Sequence, residues 1–182
     1  MRLFVGIALP DAIRQQALML AGGIRGARWL RDDQLHITVR FLGEVDGRTA
    51  GDVDDALAAM TAPPFTMSLG GVGLFGTLRQ PRILWAGVEP VDRICHLQAK
   101  VERAVQGAGV APDGRKFSPH VTLARFGPGR DRRKSAAGLD RFIHNHSTFS
   151  TPAFDVDALI LYSSLLSETG AIYRPEARYP LI

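Results

Sequence analysis

Two short stretches constrain this chain more than any other feature: His36-Ile37-Thr38-Val39 and His120-Val121-Thr122-Leu123. With 5 His and 9 Thr among 182 residues, composition alone predicts about 0.25 occurrences of His-x-Thr. There are three, and the third, His146-Ser147-Thr148, sits in a polar run. Only the first two carry apolar residues at the second and fourth positions. On a strand, residues two apart share a face. Each motif therefore projects an imidazole and a hydroxyl side by side, while its apolar residues anchor the strand in a core. Meeting this pattern twice implies two similar halves whose polar strand faces line one cleft.

The rest of the chain supplies the elements for such halves. Leu3–Leu9 reads as a first strand rather than a signal peptide, so a cytoplasmic protein is expected. Asp11 caps a helix predicted to run to about Gly26. Residues 34–42 alternate, with His36, Thr38 and Arg40 on one face and Ile37, Val39 and Phe41 on the other. Helices are expected over Thr49–Met60, Val91–Gly109 and Asp131–Ile143, from the spacing of apolar residues. Strands are expected over Phe65–Leu69, Ile83–Val88, His120–Phe126, Val156–Tyr162 and Ile172–Tyr179. The fold class is α+β: two pseudo-symmetric lobes, each a sheet with helices on its outer side, and an active-site cleft between them. All of 1–182 forms one bilobal domain, with the pseudo-repeat boundary near residue 90. No apolar run approaches the roughly 18 residues that span a bilayer.

Two imidazoles facing one substrate can divide acid and base work. One, neutral, takes a proton from the nucleophile, and the other, protonated, gives a proton to the leaving group. An ordinary histidine pKa near ~6.5 allows either role near neutrality. The Thr38 and Thr122 hydroxyls can hydrogen-bond the non-bridging oxygens of a phosphate, where charge develops. Such chemistry needs no metal and no cofactor. A single Cys95 excludes an intramolecular disulfide and a Cys-rich zinc site.

The formal net charge is +4. Residues 1–90 are balanced, with 9 basic and 9 acidic side chains, whereas residues 91–182 hold 13 basic against 9 acidic. Arg115, Lys116, Arg125, Arg130, Arg132, Arg133, Lys134 and Arg141 fall within 115–141. A phosphate-rich partner approaching this region is one reading, and a solvated basic face is the other.

The motifs, together with Arg2-Leu3-Phe4-Val5-Gly6-Ile7-Ala8-Leu9-Pro10 and Phe117-Ser118-Pro119-His120-Val121-Thr122-Leu123-Ala124-Arg125, resemble the 2H phosphoesterase superfamily. Within it they resemble the RNA 2′,3′-cyclic phosphodiesterases, also called 2′-5′ RNA ligase-like proteins, over essentially the whole chain. The resemblance implies two antiparallel sheets flanking a cleft. It implies hydrolysis of a 2′,3′-cyclic phosphate on an RNA end or nucleotide to a 2′-phosphate, and in some relatives the reverse joining of RNA ends. It makes His36 the proton donor, His120 the proton acceptor, and Thr38, Thr122 and Arg125 substrate-binding residues. Strict alternation would turn Arg125 away from His120, so its phosphate contact requires a twist or a strand end. Arg40 shares the His36 face and either meets the nucleotide or is solvated there. A monomer is expected.

Other signals are weaker. Gly71-Val72-Gly73-Leu74-Phe75-Gly76 matches G-x-G-x-x-G, but no helix directly follows, so it reads as a hairpin loop. Phe75 at its tip can stack on a base at the cleft mouth. His144 and His146 read as loop histidines rather than metal ligands. Cys95 and His96, adjacent on a helix, do not face each other. Trp29 and Trp85 are assigned to packing by default. The rival readings are a non-catalytic RNA-binding module, and a phosphodiesterase acting on another cyclic phosphate or a 2′-5′ linked nucleotide.

Overall fold

The computed structural model describes residues 1–128, 136–167 and 170–182. Its strands are β1 (Arg2–Ala8), β2 (Ala27–Trp29), β3 (His36–Glu44), β4 (Phe65–Gly76), β5 (Pro81–Glu89), β6 (His120–Phe126), β7 (Phe154–Val156), β8 (Ala158–Ser167) and β9 (Gly170–Pro180). Its helices are α1 (Asp11–Leu18), α2 (Gly47–Ala58), α3 (Val91–Gly107) and α4 (Ala136–Asn145). The fold is α+β, with every strand pairing antiparallel. Arg130, Arg132, Arg133 and Lys134 lie outside the described residues, as does the start of the helix expected from Asp131.

Strand order is β7-β4-β5-β6-β3-β1-β8-β9, with β2 joining β6 beside the end of β3. The sheet thus has two arms, β7-β4-β5-β6 and β3-β1-β8-β9. They meet at a single pair, Ile37 with Val121. Neither arm is drawn from a single half of the chain, and only the β7-β4-β5-β6 arm is contiguous in sequence. The hairpin β4–β5 extends the arm that holds His120, and the late hairpin β8–β9 extends the arm that holds His36.

Amphipathic helices cover the outer side. In α3 the residues Ile94, Leu97, Val101 and Val105 recur at helical spacing and are buried, as are Val53 and Leu57 of α2. They pack in one core with Ile37, Val39, Val121 and Leu123 from the two motif strands. Asp46 caps α2 by accepting a 2.7 Å hydrogen bond from the Thr49 backbone.

Three local expectations differ from the structure. The first helix ends at Leu18, because Gly22, Gly23 and Gly26 take positive φ, and the chain then forms β2. Gly71–Gly76 belongs to β4 rather than to a loop. Gly71, at φ +66°, lies where the register with β5 shifts, and a Cβ on Gly73 would stand 2.2 Å from the Trp85 ring. Gly73 thus lets the strand pass where a side chain would not fit, and Gly71 takes a backbone conformation that side chains disfavour. His144 lies in the last turn of α4, not in a loop.

Candidate active site

Each motif strand carries a one-residue bulge at the same place. On β3, Thr38 pairs with Gly6 and Arg40 with Val5, leaving Val39 extra. On β6, Thr122 pairs with Trp85 and Ala124 with Leu84, leaving Leu123 extra. A bulge resets side-chain alternation. The residue five after each histidine therefore returns to the histidine face: Phe41 on β3 and Arg125 on β6. The residue four after each turns inward.

This brings His36, Thr38, His120, Thr122 and Arg125 to one face, and the bulge is the device that returns Arg125 to it. The Ile37–Val121 pair sets His36 opposite Thr122 and Thr38 opposite His120 across the two strands. Arg40 is corrected. It is 6% exposed, on the face away from the histidines, where its guanidinium bonds the Glu102 carboxylate and donates to the carbonyls of Phe41 and Ala111. A nucleotide on the histidine face cannot reach it.

The two histidines are held alike. His36 donates from Nδ1 to the Gln34 carbonyl at 2.8 Å, and His120 from Nδ1 to the Ser118 carbonyl at 2.7 Å. A carbonyl only accepts, so Nδ1 carries the hydrogen in both rings and Nε2 is left to exchange a proton. Nε2 of His36 lies 3.0 Å from Thr38 Oγ1, which donates to it when the ring is neutral.

Aromatic rings wall each imidazole. Phe4, Tyr173 and Tyr162 stand 4.8, 5.0 and 6.0 Å from the His36 ring. Phe75 meets His120 edge-on at 4.8 Å, and Trp85 lies 6.4 Å away. Phe75 and Trp85 thus support His120 directly. Burial, reinforced by the charge of Arg125 and by His120, pushes His36 down to about 4 despite its bond to Gln34. Burial and Arg125 also lower His120. Both rings are therefore neutral at pH 7 in the free protein.

A cavity of about 670 Å³ opens beside this face. Its wall includes Phe4 and Tyr173, which contact His36, together with Phe41 and Arg125. Phe41 is 45% exposed. Arg2, Arg28 and Arg31 also line the cavity, and no acidic residue does among the described residues. These three arginines come from the half of the chain with balanced charge. In contrast, Arg115 of the basic second half is tied to Asp113 at 2.9 Å. Sequence reasoning missed Phe4, Tyr162, Tyr173 and Arg28, which reach the site only through strand neighbours distant in sequence. Trp29 packs on Phe142 at 5.6 Å, and His146 donates from Nδ1 to the Phe142 carbonyl at 2.9 Å. Among the described residues no cluster of metal-ligating side chains forms, and no helix is long and apolar enough to cross a membrane.

Comparison with known proteins gives a consistent family. The LigT-like phosphoesterase model matches residues 7–85 and 88–173, each span containing one of the two His-x-Thr motifs flanked by apolar residues. An RNA 2′,3′-cyclic phosphodiesterase of Archaeoglobus fulgidus is 31% identical over 177 residues, covering 96% of this chain and 97% of that protein. One from Thermotoga maritima is 31% identical, covering 96% and 92%. Among solved structures, E. coli LigT complexed with 3′-AMP superimposes with a TM-score of 0.76 at 25% identity, covering 99% of this chain and 97% of that one.

Proposed function

The chain belongs to the LigT-like phosphoesterase family, and from that premise we propose that it hydrolyses 2′,3′-cyclic phosphates on RNA ends or nucleotides to 2′-phosphates. The observation that carries this reading is the pair of imidazoles. They are alike in tautomer and sit on one strand face beside a threonine each and an arginine.

His120, neutral, takes a proton from water through Nε2 as the water oxygen attacks phosphorus. The bond from phosphorus to O3′ breaks, and His36 delivers a proton from Nε2 to that oxygen, leaving the phosphate on O2′. Thr38, Thr122 and Arg125 bind the non-bridging oxygens, where negative charge accumulates. The donor role needs a protonated His36, which burial and Arg125 oppose in the free protein. The anionic substrate supplies the compensation. A phosphate between Arg125 and the imidazole offsets the arginine's field and favours the imidazolium.

Product analysis on a short RNA carrying a cyclic end tests the reading. A 2′-phosphate is expected. A 3′-phosphate would reverse the leaving group and the two histidine roles. Binding without turnover would favour a non-catalytic RNA-binding role instead.

A further inference from the structure

Arg28 of β2 pairs directly with Arg125 of β6 across the ladder. Two like charges in register on neighbouring strands repel, and natural sheets avoid the arrangement unless something relieves it. Among the described residues, no hydrogen bond or ion pair reaches either guanidinium and no carboxylate lines the cavity they share. Arg2 lies on the same wall, as does Arg31, whose charge is met by Asp33 at 3.1 Å. Water and salt screen the pair in part, and an anion seated in the cavity would relieve it fully.

We propose that Arg28 binds the phosphodiester on the 5′ side of the terminal nucleoside, so that the site selects RNA ends over mononucleotide cyclic phosphates. This rests on the function proposed above and deepens it. Arg125 faces the histidines and lowers both, which assigns it to the reacting phosphate. Arg28 stands one strand further out, about 4.8 Å away. A strand that ends in a 2′,3′-cyclic phosphate has its other phosphates only on the 5′ side. A second cationic position beside the first can therefore meet only those. The cavity, at about 670 Å³, extends from Arg125 past Arg28 and Arg31 to the β8–β9 hairpin, giving the preceding nucleotide room.

The test compares kcat/KM for a nucleoside 2′,3′-cyclic phosphate with that for a dinucleotide bearing the same cyclic end, in wild type, Arg28→Gln and Arg28→Glu. Wild type should prefer the dinucleotide. Losing one charge-assisted phosphate contact should cut that preference roughly 10- to 100-fold. The salt dependence of the dinucleotide reaction should weaken by about one phosphate contact, a slope change of ~0.7. Equal losses on both substrates would move Arg28 to the reacting phosphate and overturn the proposal, as would a wild type indifferent to the added nucleotide. If no cyclic phosphate is turned over, the functional reading fails separately. Anisotropy of a labelled short RNA ending in a 3′-phosphate then decides the subsite: binding weakened at least tenfold by Arg28→Glu supports it, and unchanged binding refutes it. Melting curves of both variants confirm that the exposed substitution leaves the fold intact.

Discussion

Ile37 and Val121, the central residues of the two motifs, are cross-strand partners, and theirs is the one pair that bridges the two arms of the sheet. Both are fully buried. The polar residues flanking them are therefore held on the opposite face at fixed spacing. His36→Ala and His120→Ala should each lower kcat by roughly 10²–10⁴-fold, the usual worth of a general acid or base. Steady-state kinetics on a nucleoside cyclic phosphate checks this. A near-wild-type rate in either variant would remove that histidine from the mechanism.

The proton affinity of the site should follow Arg125. Its positive charge disfavours imidazolium at both histidines, so Arg125→Gln should raise the pKa of each. NMR titration of the ring protons should place His36 near 4 in the wild type and higher in the variant. In wild type, kcat/KM should fall on the alkaline side at lower pH than kcat does, because the bound anion favours the protonated donor only in the complex. The limbs belong to the coupled pair rather than to either ring. Coincident limbs would contradict the proposed compensation by substrate.

Stability should depend on Arg40 without catalysis doing so. Burial pushes the Glu102 carboxyl up, but hydrogen bonds from Arg40, Gln106 and the Asp113 backbone hold it below the ordinary carboxylate range. Glu102→Ala leaves a guanidinium that is 6% exposed with two carbonyls and the more distant Asp113, 4.0 Å away, at a cost of about 3 kcal/mol, the lower end for a broken buried pair. Chemical denaturation measures it. A loss below about 0.5 kcal/mol, the range of an ordinary surface change, would mean that the pair is solvated.

Gly73→Ala should disturb the site from a distance. The new Cβ would stand 2.2 Å from the Trp85 ring, which packs on Phe75 at 5.5 Å and lies 6.4 Å from His120. Overpacking of this kind costs roughly 1–3 kcal/mol. Turnover should fall as Trp85 moves, and its fluorescence should change. Unaltered emission and unaltered kcat would show that the ring does not seat His120.

The proposed chemistry uses only side chains of this protein. Activity should persist in excess EDTA. Complete loss on chelation, restored by a divalent cation, would replace the two-histidine scheme with a metal-assisted one.

The fold class and the shared strand face of His36, Thr38, His120 and Thr122 were legible because they rest on strand periodicity, which needs no knowledge of neighbours, whereas Arg125 came only with the family resemblance. Alternation failed four residues after each histidine. Nothing in Val39 or Leu123 announces a bulge, so strict alternation places Arg40 on the histidine face and turns Arg125 away from it. The aromatic walls were hidden for another reason. Phe4, Tyr162 and Tyr173 come from strands far apart in sequence, and only the pairing order assembles them. Charge counted by halves gave only part of the cavity's cationic wall, Arg125. It pointed to residues 115–141, whereas Arg2, Arg28 and Arg31 reach the cavity from the balanced half.

The exchange of hairpins between the two arms bears on how the protein is made. β1 and β3 leave the ribosome early, yet the strands that flank them, β8 and β9, are synthesised after β4, β5 and β6. Throughout that interval the edge of β1 that later receives Leu161 and Tyr162 has no partner. Unpaired edges are where chains associate wrongly. The arm that holds His120 can close from residues 65 to 156, but the arm that holds His36 waits for residues 158–180. Folding of this arm waits until β8 and β9 have been synthesised, and a nascent chain paused before β8 would carry an unfinished sheet.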